Sequence, residues 1–269
     1  MWIDLEVNDW YHFHLLSSEN TNYIFRGQRS STWKLEPSLS REITTHNNNF
    51  KNNSALEIES NMIDEFLSSY HLYTSANTGN ILNSTNSTLT KNLEILSIMQ
   101  HYGSPTRMLD WTYSPAVAAF FALDGAIDDF CIYVLDIHEI ERRNIIKYGQ
   151  VYPSIKERIF IENNDEHQEL FLFPYEPLQK NERIRHQQGL FLVPSVIDKT
   201  VDEILESYHE NDVFNKLAAY RVIVKKEQIK EFWYFLKHFN ITHETIYPGF
   251  EGFCKSLKHH ALDLKNFKL

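Results

Sequence analysis

The sequence predicts a single α+β domain in which a mixed, largely antiparallel sheet is flanked by helices. Short apolar runs bounded by polar or turn residues alternate with amphipathic segments, in the irregular order that is typical of this fold class. Aromatic residues make up 14% of the chain and glycine is scarce, which indicates a globular protein with a bulky core. No Pro- or Gly-rich linker divides the chain, so we predict one domain over residues 1–269.

Five segments predict helices. The segment from Ser54 to Tyr73 places apolar residues at helical spacing between acidic ones, and "NLEILSIMQHYG" predicts a helix that stops at Gly103. In "SPAVAAFFAL", we expect Ser114 to cap a short apolar helix and Pro115 to take its first position. The segments "KKEQIKEFWYFLKHF" and "GFEGFCKSLKHHALDL" predict two further amphipathic helices.

Four apolar runs predict strands: "FCIYVLD", "ELFLFPY", "GLFLVP" and "YRVIV". A further apolar run ends at "YIF". We expect Gly27 to turn the chain after it, so that Arg26 lies at the mouth of a sheet. The stretch "RMLDWT" is predicted to belong to a connection between two apolar helices, where polar side chains converge on a cleft.

Composition limits the classes of partner and the compartment. The formal net charge of −10 argues against a protein whose whole surface binds a phosphate backbone. A local basic pocket is compatible with this charge. Cys131 lies inside an apolar run, which favours a buried free thiol over a disulfide or a nucleophile and fits a reducing compartment. No stretch has the length of a membrane span, so we expect a soluble cytoplasmic protein with no membrane partner.

The histidines do not predict a metal site. The pairs His12, His14 and His259, His260 lack carboxylates or cysteines at ligand spacing, so we expect surface histidines and no metal. The sequence also contains no phosphate-binding loop, no Gly-x-Ser-x-Gly elbow and no kinase motifs.

Three stretches depart from simple core patterning: "FRGQR", "QHYGSPTRMLDWTYSPAVAAFFAL" and "RIRHQQGLFLVP". Each combines charged or polar residues with glycine beside an apolar element. In the second, Arg107, Asp110, Trp111 and Thr112 are candidates for a cleft. A purely structural interpretation is that Arg107 pairs with Asp110, Trp111 fills the core, and Thr112 or Ser114 caps a helix.

The third stretch offers two neighbouring amides. If a strand begins here, one of Gln187 and Gln188 points into the site and the other points away. A hydrogen bond at the start of the strand explains the pair equally well.

The blocks "IFRGQ", "MQHYGSPTRMLDWTYSPAVAAFFA" and "RIRHQQGLFLV" resemble the signature blocks of the FRG domain family, which is named after its Phe-Arg-Gly motif. The late "ITHETIYPGFEGF" is similar to the closing block of that family. Together the blocks span residues 25 to 253. The resemblance therefore implies that residues 1–269 form one FRG domain.

The order of the blocks also resembles that of ADP-ribosyltransferases, which implies a similar fold and NAD as the substrate. In that family an arginine or histidine on the first strand holds NAD, a Ser-Thr-Ser-like or aromatic motif lines the nicotinamide pocket, and a Gln-x-Glu or Glu-x-Glu motif begins a later strand. The resemblance maps Arg26 to the first motif, Thr112 and Ser114 to the second, and Gln187 and Gln188 to the third.

The resemblance implies roles for these residues. It implies that the catalytic set is Arg26, Asp110, Gln187 and Gln188, and that NAD contacts Arg26, Gly27, Gln28, Tyr102, Arg107, Trp111, Thr112 and Ser114. Cleavage of the nicotinamide bond develops positive charge on a ribose, which a carboxylate or amide oxygen stabilises. Glutamine stands where the transferases have glutamate, and it cannot act as a base. Either turnover is weak, or Asp110, Glu244 or Glu251 supplies the acid, with Asp110 as the first choice.

Two functions stay open. The resemblance implies a mono-ADP-ribosyltransferase, acting as a bacterial toxin or phage-defence effector on RNA, DNA or protein, with a neutralising antitoxin as a further partner. The alternative is a non-catalytic module that holds a nucleotide or nucleic-acid phosphate with Arg26, Arg29 and Arg107. We expect Arg26, Asp110 and one of the two glutamines to line one pocket large enough for NAD if the enzyme function is correct.

Overall fold

The computed structural model describes residues 2–18, 21–73, 86–161, 168–208 and 219–257. Within these residues the strands form one seven-stranded sheet in the order β1-β7-β4-β2-β3-β6-β5. The strands are β1 (Ile3–Val7), β2 (Tyr23–Gln28), β3 (Leu109–Thr112), β4 (Phe130–Asp136), β5 (Leu172–Tyr175), β6 (Gly189–Pro194) and β7 (Ala219–Val224). The β1–β7 pair is parallel and the other pairs are antiparallel, which confirms the predicted α+β class with a largely antiparallel sheet.

Helices flank the sheet, as predicted. The α-helices are α1 (Trp10–Ser17), α2 (Ser38–His46), α3 (Asn52–Ser69), α4 (Thr88–His101), α5 (Pro115–Leu123), α6 (Ile137–Tyr148), α7 (Tyr152–Glu157), α8 (Glu182–His186), α9 (Val201–Glu206), α10 (Ile229–His238), α11 (His243–Ile246) and α12 (250–257). Short 3-10 turns are formed by Tyr70–Leu72, Gly149–Val151 and Lys226–Gln228. The predicted last helix continued to residue 264, and residues 258–264 lie outside the described part of the chain.

The predicted cap of α5 is confirmed. The side chain of Ser114 accepts a hydrogen bond from the backbone N–H of Val117, and Pro115 is the first helical residue. Two of the four predicted strands, β4 and β6, have the predicted bounds. Both are continuous apolar runs, which is the pattern of strands covered on both faces.

The sheet separates two hydrophobic cores. Along β4 all seven residues are buried, and alternate side chains enter opposite cores because successive residues of a strand point to opposite faces. Phe130, Ile132 and Val134 pack with α5 and α10, whereas Tyr133 and Leu135 pack with α3, α4 and the strands on the other side. Both cysteines are free, and Cys131 is buried as predicted.

Two local predictions around the motifs are wrong. Gly27 is not at a turn, because β2 continues through it to Gln28 and pairs with β4 over its whole length. A Cβ at position 27 would lie 1.9 Å from the carbonyl oxygen of Ala118 and 2.5 Å from the nitrogen of Ala122. Glycine is therefore required because α5 lies directly against β2. Likewise, "RMLDWT" is not a plain connection, because its last four residues form β3.

The centre of the sheet is interrupted between β2 and β3. These neighbours share a single registered pair, Phe25 with Thr112, whereas β2 makes six pairs with β4 and β3 makes four with β6. Beyond Phe25, the backbone N–H and C=O groups of β2 and β3 are not paired with each other. Residues on both sides of this gap line the candidate functional site.

Candidate functional site

A cavity of about 820 Å³ lies against the gap between β2 and β3. Its walls come from both strands, from the segment 29–36 that follows β2, and from single residues of α2, α5, α8 and the chain after α11. Seven of the predicted site residues line it: Arg26, Gly27, Gln28, Asp110, Trp111, Thr112 and Gln187. These residues are distant in sequence and come together because β2, β3 and β6 are neighbours in the sheet and Gln187 lies in the turn that precedes β6.

Arg26 spans the gap between the strands. Its Nη1 donates a hydrogen bond of 2.5 Å to the backbone carbonyl of Asp110. The guanidinium thus supplies a hydrogen bond to a β3 carbonyl that has no partner on β2. Its Nε is buried and has no hydrogen-bond partner within the described residues. Burial lowers the pKa of Arg26, the charge of Asp110 opposes this shift, and the charge of Arg41 adds to it. A half-buried cation with a buried, unpaired donor near a second cation favours an anion in the cavity.

Asp110 occupies the one exposed position of β3. Its side chain lines the cavity, while its backbone carbonyl is held by Arg26. The other carboxylate in the cavity lining is Glu36. A carboxylate close to a fixed guanidinium is the arrangement that a site needs to balance a positive charge developing on a substrate.

Two residues of the cavity lining carry buried polar atoms without hydrogen-bond partners among the described residues. Gln28 donates from Nε2 to the carbonyl of Lys34 at 3.3 Å, and its Oε1 is buried with no hydrogen-bond partner among the described residues. Trp111 is 3% exposed, and its Nε1 is also buried and unpaired. Because buried polar atoms are normally hydrogen-bonded, the cavity presents one acceptor and one donor that suit a polar ligand.

Thr112 and Gln187 connect the end of β3 to the start of β6. The hydroxyl of Thr112 donates to the backbone carbonyl of Gln187 at 2.6 Å and accepts from the backbone N–H of Ser114 at 3.0 Å. The Nε2 of Gln187 donates to the carbonyl of Ile246 at 3.3 Å. These bonds fix the floor of the cavity, and they use the amide hydrogens of Gln187 for a structural contact.

Two arginines are held on the far wall by a chain of aromatic and ionic contacts. The guanidinium of Arg183 lies 5.0 Å from the ring centroid of Tyr247, and that ring stacks on His243 at 6.3 Å. His243 in turn places its Nε2 3.3 Å from Asp124, whose other oxygen lies 3.8 Å from Arg29. The end of α5 and the start of α11 therefore orient both guanidinium groups toward the same cavity.

The cavity is locally basic although the chain carries a net charge of −10. Its cationic side chains are Arg26, Arg29, Lys34, Arg41 and Arg183, against the carboxylates Glu36 and Asp110. Its aromatic side chains are Phe25, Trp33, Trp111, Phe121 and Tyr247. Cations interleaved with aromatic rings are suited to ligands that combine phosphate groups with flat rings.

Arg107 is not in the cavity, contrary to the sequence-based expectation. It is fully buried and pairs with α3, where its Nε donates to both carboxylate oxygens of Glu59 at 2.9 Å. Its Nη1 donates to the carbonyls of Ile159 at 3.1 Å and Ser195 at 3.4 Å, and Phe160 lies under the guanidinium at 4.6 Å. All its contacts are internal, so Arg107 is placed to stabilise the fold.

Three other predicted residues lie outside the cavity lining. Tyr102 is 80% exposed in the turn after α4, and Ser114 is engaged as the cap of α5. Gln188 has a φ of 47°, and its carbonyl accepts from the backbone N–H of Tyr113 at 3.0 Å, so it forms the turn into β6. Of the two glutamines, Gln187 alone lines the cavity.

Glu244 and Glu251, the two alternative catalytic acids, also lie outside the cavity lining. Glu251 pairs with Lys255 at 2.6 Å, which lowers the pKa of Glu251, and Glu244 accepts from the hydroxyl of Ser256 at 2.9 Å. Neither side chain lines the cavity. Among the three acids considered from sequence, Asp110 is the one that the cavity contains.

Sequence reasoning missed part of the lining. Trp33, Lys34, Glu36 and Arg41 follow the FRG motif directly, in the stretch "STWKLEPSLSR", and all four line the cavity. The available signal was a tryptophan flanked by polar residues next to a cation, in a segment without strand or helix periodicity. Tyr247 lies within the late block "ITHETIYPGFEGF", which was noticed only as part of a resemblance.

Two features are absent from the described residues. No group of three or more His, Cys, Asp or Glu side chains in the described ranges is arranged to hold a metal ion. Within the same ranges, none of the helices is both long enough and apolar enough to cross a membrane.

Comparison with known families gives one match. Residues 21–129 match the family described as the FRG domain, a region that contains the first two sequence blocks together with β2, β3 and α5. No curated protein and no solved structure matches the chain. The assignment of residues 1–269 to one domain stays a prediction.

Proposed function

This chain belongs to the FRG domain family, and from that starting point we propose that it is an NAD-dependent mono-ADP-ribosyltransferase-like enzyme whose active site is the cavity between β2 and β3. The observation that carries the proposal is the convergence on one cavity of Arg26 from β2, Asp110 from β3 and Gln187 from the turn that precedes β6. A volume of about 820 Å³ is within the range of sites for small molecules and cofactors.

The cations of the cavity fit a pyrophosphate. Arg26 is anchored by Asp110 and keeps an unpaired Nε, while Arg41 is held by its Nη1 bond of 2.7 Å to the carbonyl of Glu36. Two fixed guanidinium groups that repel each other across one cavity are stabilised by an anion between them. Burial lowers the pKa of Arg26, and an anion bound beside the guanidinium would oppose that shift.

The uncharged wall fits the ring and sugar parts of the substrate. Trp111, Phe121 and Tyr247 offer apolar surface for a flat ring, and the Nε1 of Trp111 can donate to a carboxamide oxygen. The free Oε1 of Gln28 can accept from a ribose hydroxyl. Each of these atoms is buried and without a partner in the described protein, so a ligand that supplies the missing bond gains affinity.

Asp110 is assigned the role of balancing charge at the reacting carbon. NAD supplies a bond between ribose and nicotinamide whose cleavage leaves positive charge on the sugar. The carboxylate of Asp110 can stabilise that charge and accept the proton of the attacking group. Gln187 cannot accept a proton, and its amide is engaged with Ile246, so it orients the site and does not act as a base.

The test uses NAD labelled on its adenylate, incubated with purified protein and with RNA, DNA or lysate protein in separate reactions. We expect label transfer by the wild type and release of free nicotinamide. Arg26→Ala and Asp110→Asn should each lower transfer about 10²-fold or more. Glu244→Gln is the matched control, because this acid lies outside the cavity and should leave transfer unchanged. Equal activity of Asp110→Asn and the wild type would refute the role of Asp110.

A second candidate function is a non-catalytic module that binds a nucleotide or nucleic-acid phosphate in the same cavity. The observation that favours it is Gln187, which stands just before β6, where a transferase would carry glutamate, and which makes a structural bond instead. If NAD binds to the protein, as measured by calorimetry, but no nicotinamide is released, this function replaces the enzyme.

We extend the proposal to the biological context, a bacterial toxin or phage-defence effector that acts in the cytoplasm and is neutralised by an antitoxin. An enzyme that consumes NAD or modifies nucleic acid or protein would harm its own cell if it were unrestrained. Expression of the wild type should therefore arrest growth, whereas expression of Arg26→Ala should not. Normal growth with an equal amount of soluble wild-type protein would contradict this extension.

A further inference from the structure

The open side of the cavity carries a tryptophan that the core does not explain. Trp33 is 55% exposed, although its neighbour Leu35 is 1% exposed and anchors the segment in the core. Among the described residues it stacks on no other ring. The segment itself is held in place: the carbonyl of Lys34 accepts from Gln28, and the backbone N–H of Ser31 donates to the carbonyl of Asp129 at 2.9 Å. A rigid backbone thus presents a large exposed ring at the cavity.

Two exposed cations line the same cavity as this ring. Lys34 and Arg41 are exposed and line the same cavity as Trp33, and the guanidinium of Arg41 is oriented by its bond to the carbonyl of Glu36. The chain as a whole has a net charge of −10, so this basic surface is local. An exposed aromatic ring with cations beside it binds a nucleobase by stacking and the adjoining phosphates by charge.

We propose that Trp33, Lys34 and Arg41 form the binding surface for a single-stranded nucleic acid, which is the acceptor of the ADP-ribose. The acceptor role rests on the proposed transferase function; the binding surface does not. A single strand is favoured over a duplex because stacking on Trp33 needs a free base face, and bases in a duplex cover each other's faces. The same cavity lining carries this surface and Asp110, so a base on Trp33 enters the site where the sugar reacts.

The transfer step balances without a further reactant. A nitrogen or oxygen of the bound base forms a bond to the ribose carbon of NAD while the bond from that carbon to nicotinamide breaks. Nicotinamide leaves as a neutral molecule with the bonding electron pair. The proton of the attacking atom passes to the carboxylate of Asp110 and then to solvent.

The first experiment measures binding without NAD. Labelled single strands of about 12 nucleotides, as RNA and as DNA, and a duplex of the same sequence are titrated with protein and followed by fluorescence anisotropy. We expect both single strands to bind more tightly than the duplex. Trp33→Ala should weaken single-strand binding about 5- to 150-fold, and Trp33→Phe should retain most of it because the stacking face is kept. Tyr11→Ala, an exposed aromatic outside the cavity, is the matched control.

The cations are tested through salt dependence. Lys34→Ala and Arg41→Ala should each reduce the slope of log K against log salt by about 0.7, the value for one phosphate contact on a single strand. Lys237→Ala, an exposed cation outside the cavity, should leave the slope unchanged. Unchanged affinity of Trp33→Ala, or tighter binding of the duplex than of the single strands, would overturn the binding surface.

Different experimental results would overturn the nucleic-acid-binding surface and the transferase function. Single-strand binding that depends on Trp33, together with no nicotinamide release, supports the surface and overturns the transferase. Nicotinamide release with label found only in protein overturns nucleic acid as the acceptor and supports the transferase. Label found in single-stranded RNA or DNA, and lost in Trp33→Ala with stability unchanged, supports both.

Discussion

Substitution of Arg107 tests whether this residue stabilises the fold or binds a ligand. Its side chain is fully buried and Glu59 is 2% exposed, so the two charges are shielded from water together. Arg107→Met removes every donor to Glu59 and to the carbonyls of Ile159 and Ser195, and leaves a buried carboxylate without a partner. Breaking such a pair by removing one member costs about 3–5 kcal/mol of folding free energy.

The assay is urea unfolding, from which the free energy of unfolding is obtained as the product of midpoint and slope. At ~2–4 °C for each kcal/mol, the melting temperature should fall by about 6–20 °C. The double variant Arg107→Met, Glu59→Leu should recover most of the loss, because replacing both charges by apolar groups is often neutral. Lys180→Met, in the exposed pair with Glu176, is the control and should cost less than about 1 kcal/mol.

Either of two results would refute this account of Arg107. The first is a loss below about 1 kcal/mol in Arg107→Met, which would mean that the pair is not buried as described. The second is a stable, folded Arg107→Met protein that no longer binds NAD or oligonucleotide. That result would return Arg107 to the binding residues, where the sequence had placed it.

Three further predictions concern packing, capping and thiol reactivity. Gly27→Ala should destabilise the fold by at least about 1–3 kcal/mol in urea unfolding, because its Cβ would overlap the backbone of Ala118; a change below about 0.5 kcal/mol would contradict the contact. Ser114→Ala should cost ~0.5–2 kcal/mol through the lost cap and leave label transfer intact at temperatures where it is folded; lost transfer with unchanged stability would make Ser114 a site residue. At pH 8 a thiol reagent should modify the exposed Cys254 alone, because Cys131 is buried and burial raises the pKa of its thiol to about 12; rapid modification of two thiols before unfolding would disagree with that burial.

The elements that could be predicted from sequence are those whose cause is local. Strand β6 is a continuous apolar run, and α5 carries its own start signal in Ser114 and Pro115, so both have the predicted bounds. Strand β3 could not be predicted in the same way, because it has four residues and Asp110 interrupts its apolar pattern. Its backbone becomes a strand through pairing with β6, about 80 residues later in the chain.

The ion-pair partner of Arg107 also could not be predicted from neighbouring residues in the sequence. Spacing suggested that Arg107 pairs with Asp110, but Arg107 pairs with Glu59 from α3, and Asp110 faces the cavity on the exposed side of β3. Arg107 lies before β3 begins, and its partner Glu59 is 48 residues earlier in the chain, so local spacing does not reveal this pair. The convergence of the three motifs is similarly a property of strand order, which no single motif contains.

A single substitution of Gln187, in the turn before β6, distinguishes the two candidate functions. Gln187 donates to the carbonyl of Ile246 and its own carbonyl accepts from Thr112, so the residue has a structural reason to be an amide. Gln187→Glu would lose that donor and place a carboxylate against a carbonyl oxygen, which should destabilise the fold by about 1–3 kcal/mol. If Asp110 is the acid of the site, Gln187→Glu should not increase label transfer. A gain of tenfold or more in Gln187→Glu would instead indicate that the cavity lacks its catalytic carboxylate in the natural chain, and that this protein binds its ligand without turning it over.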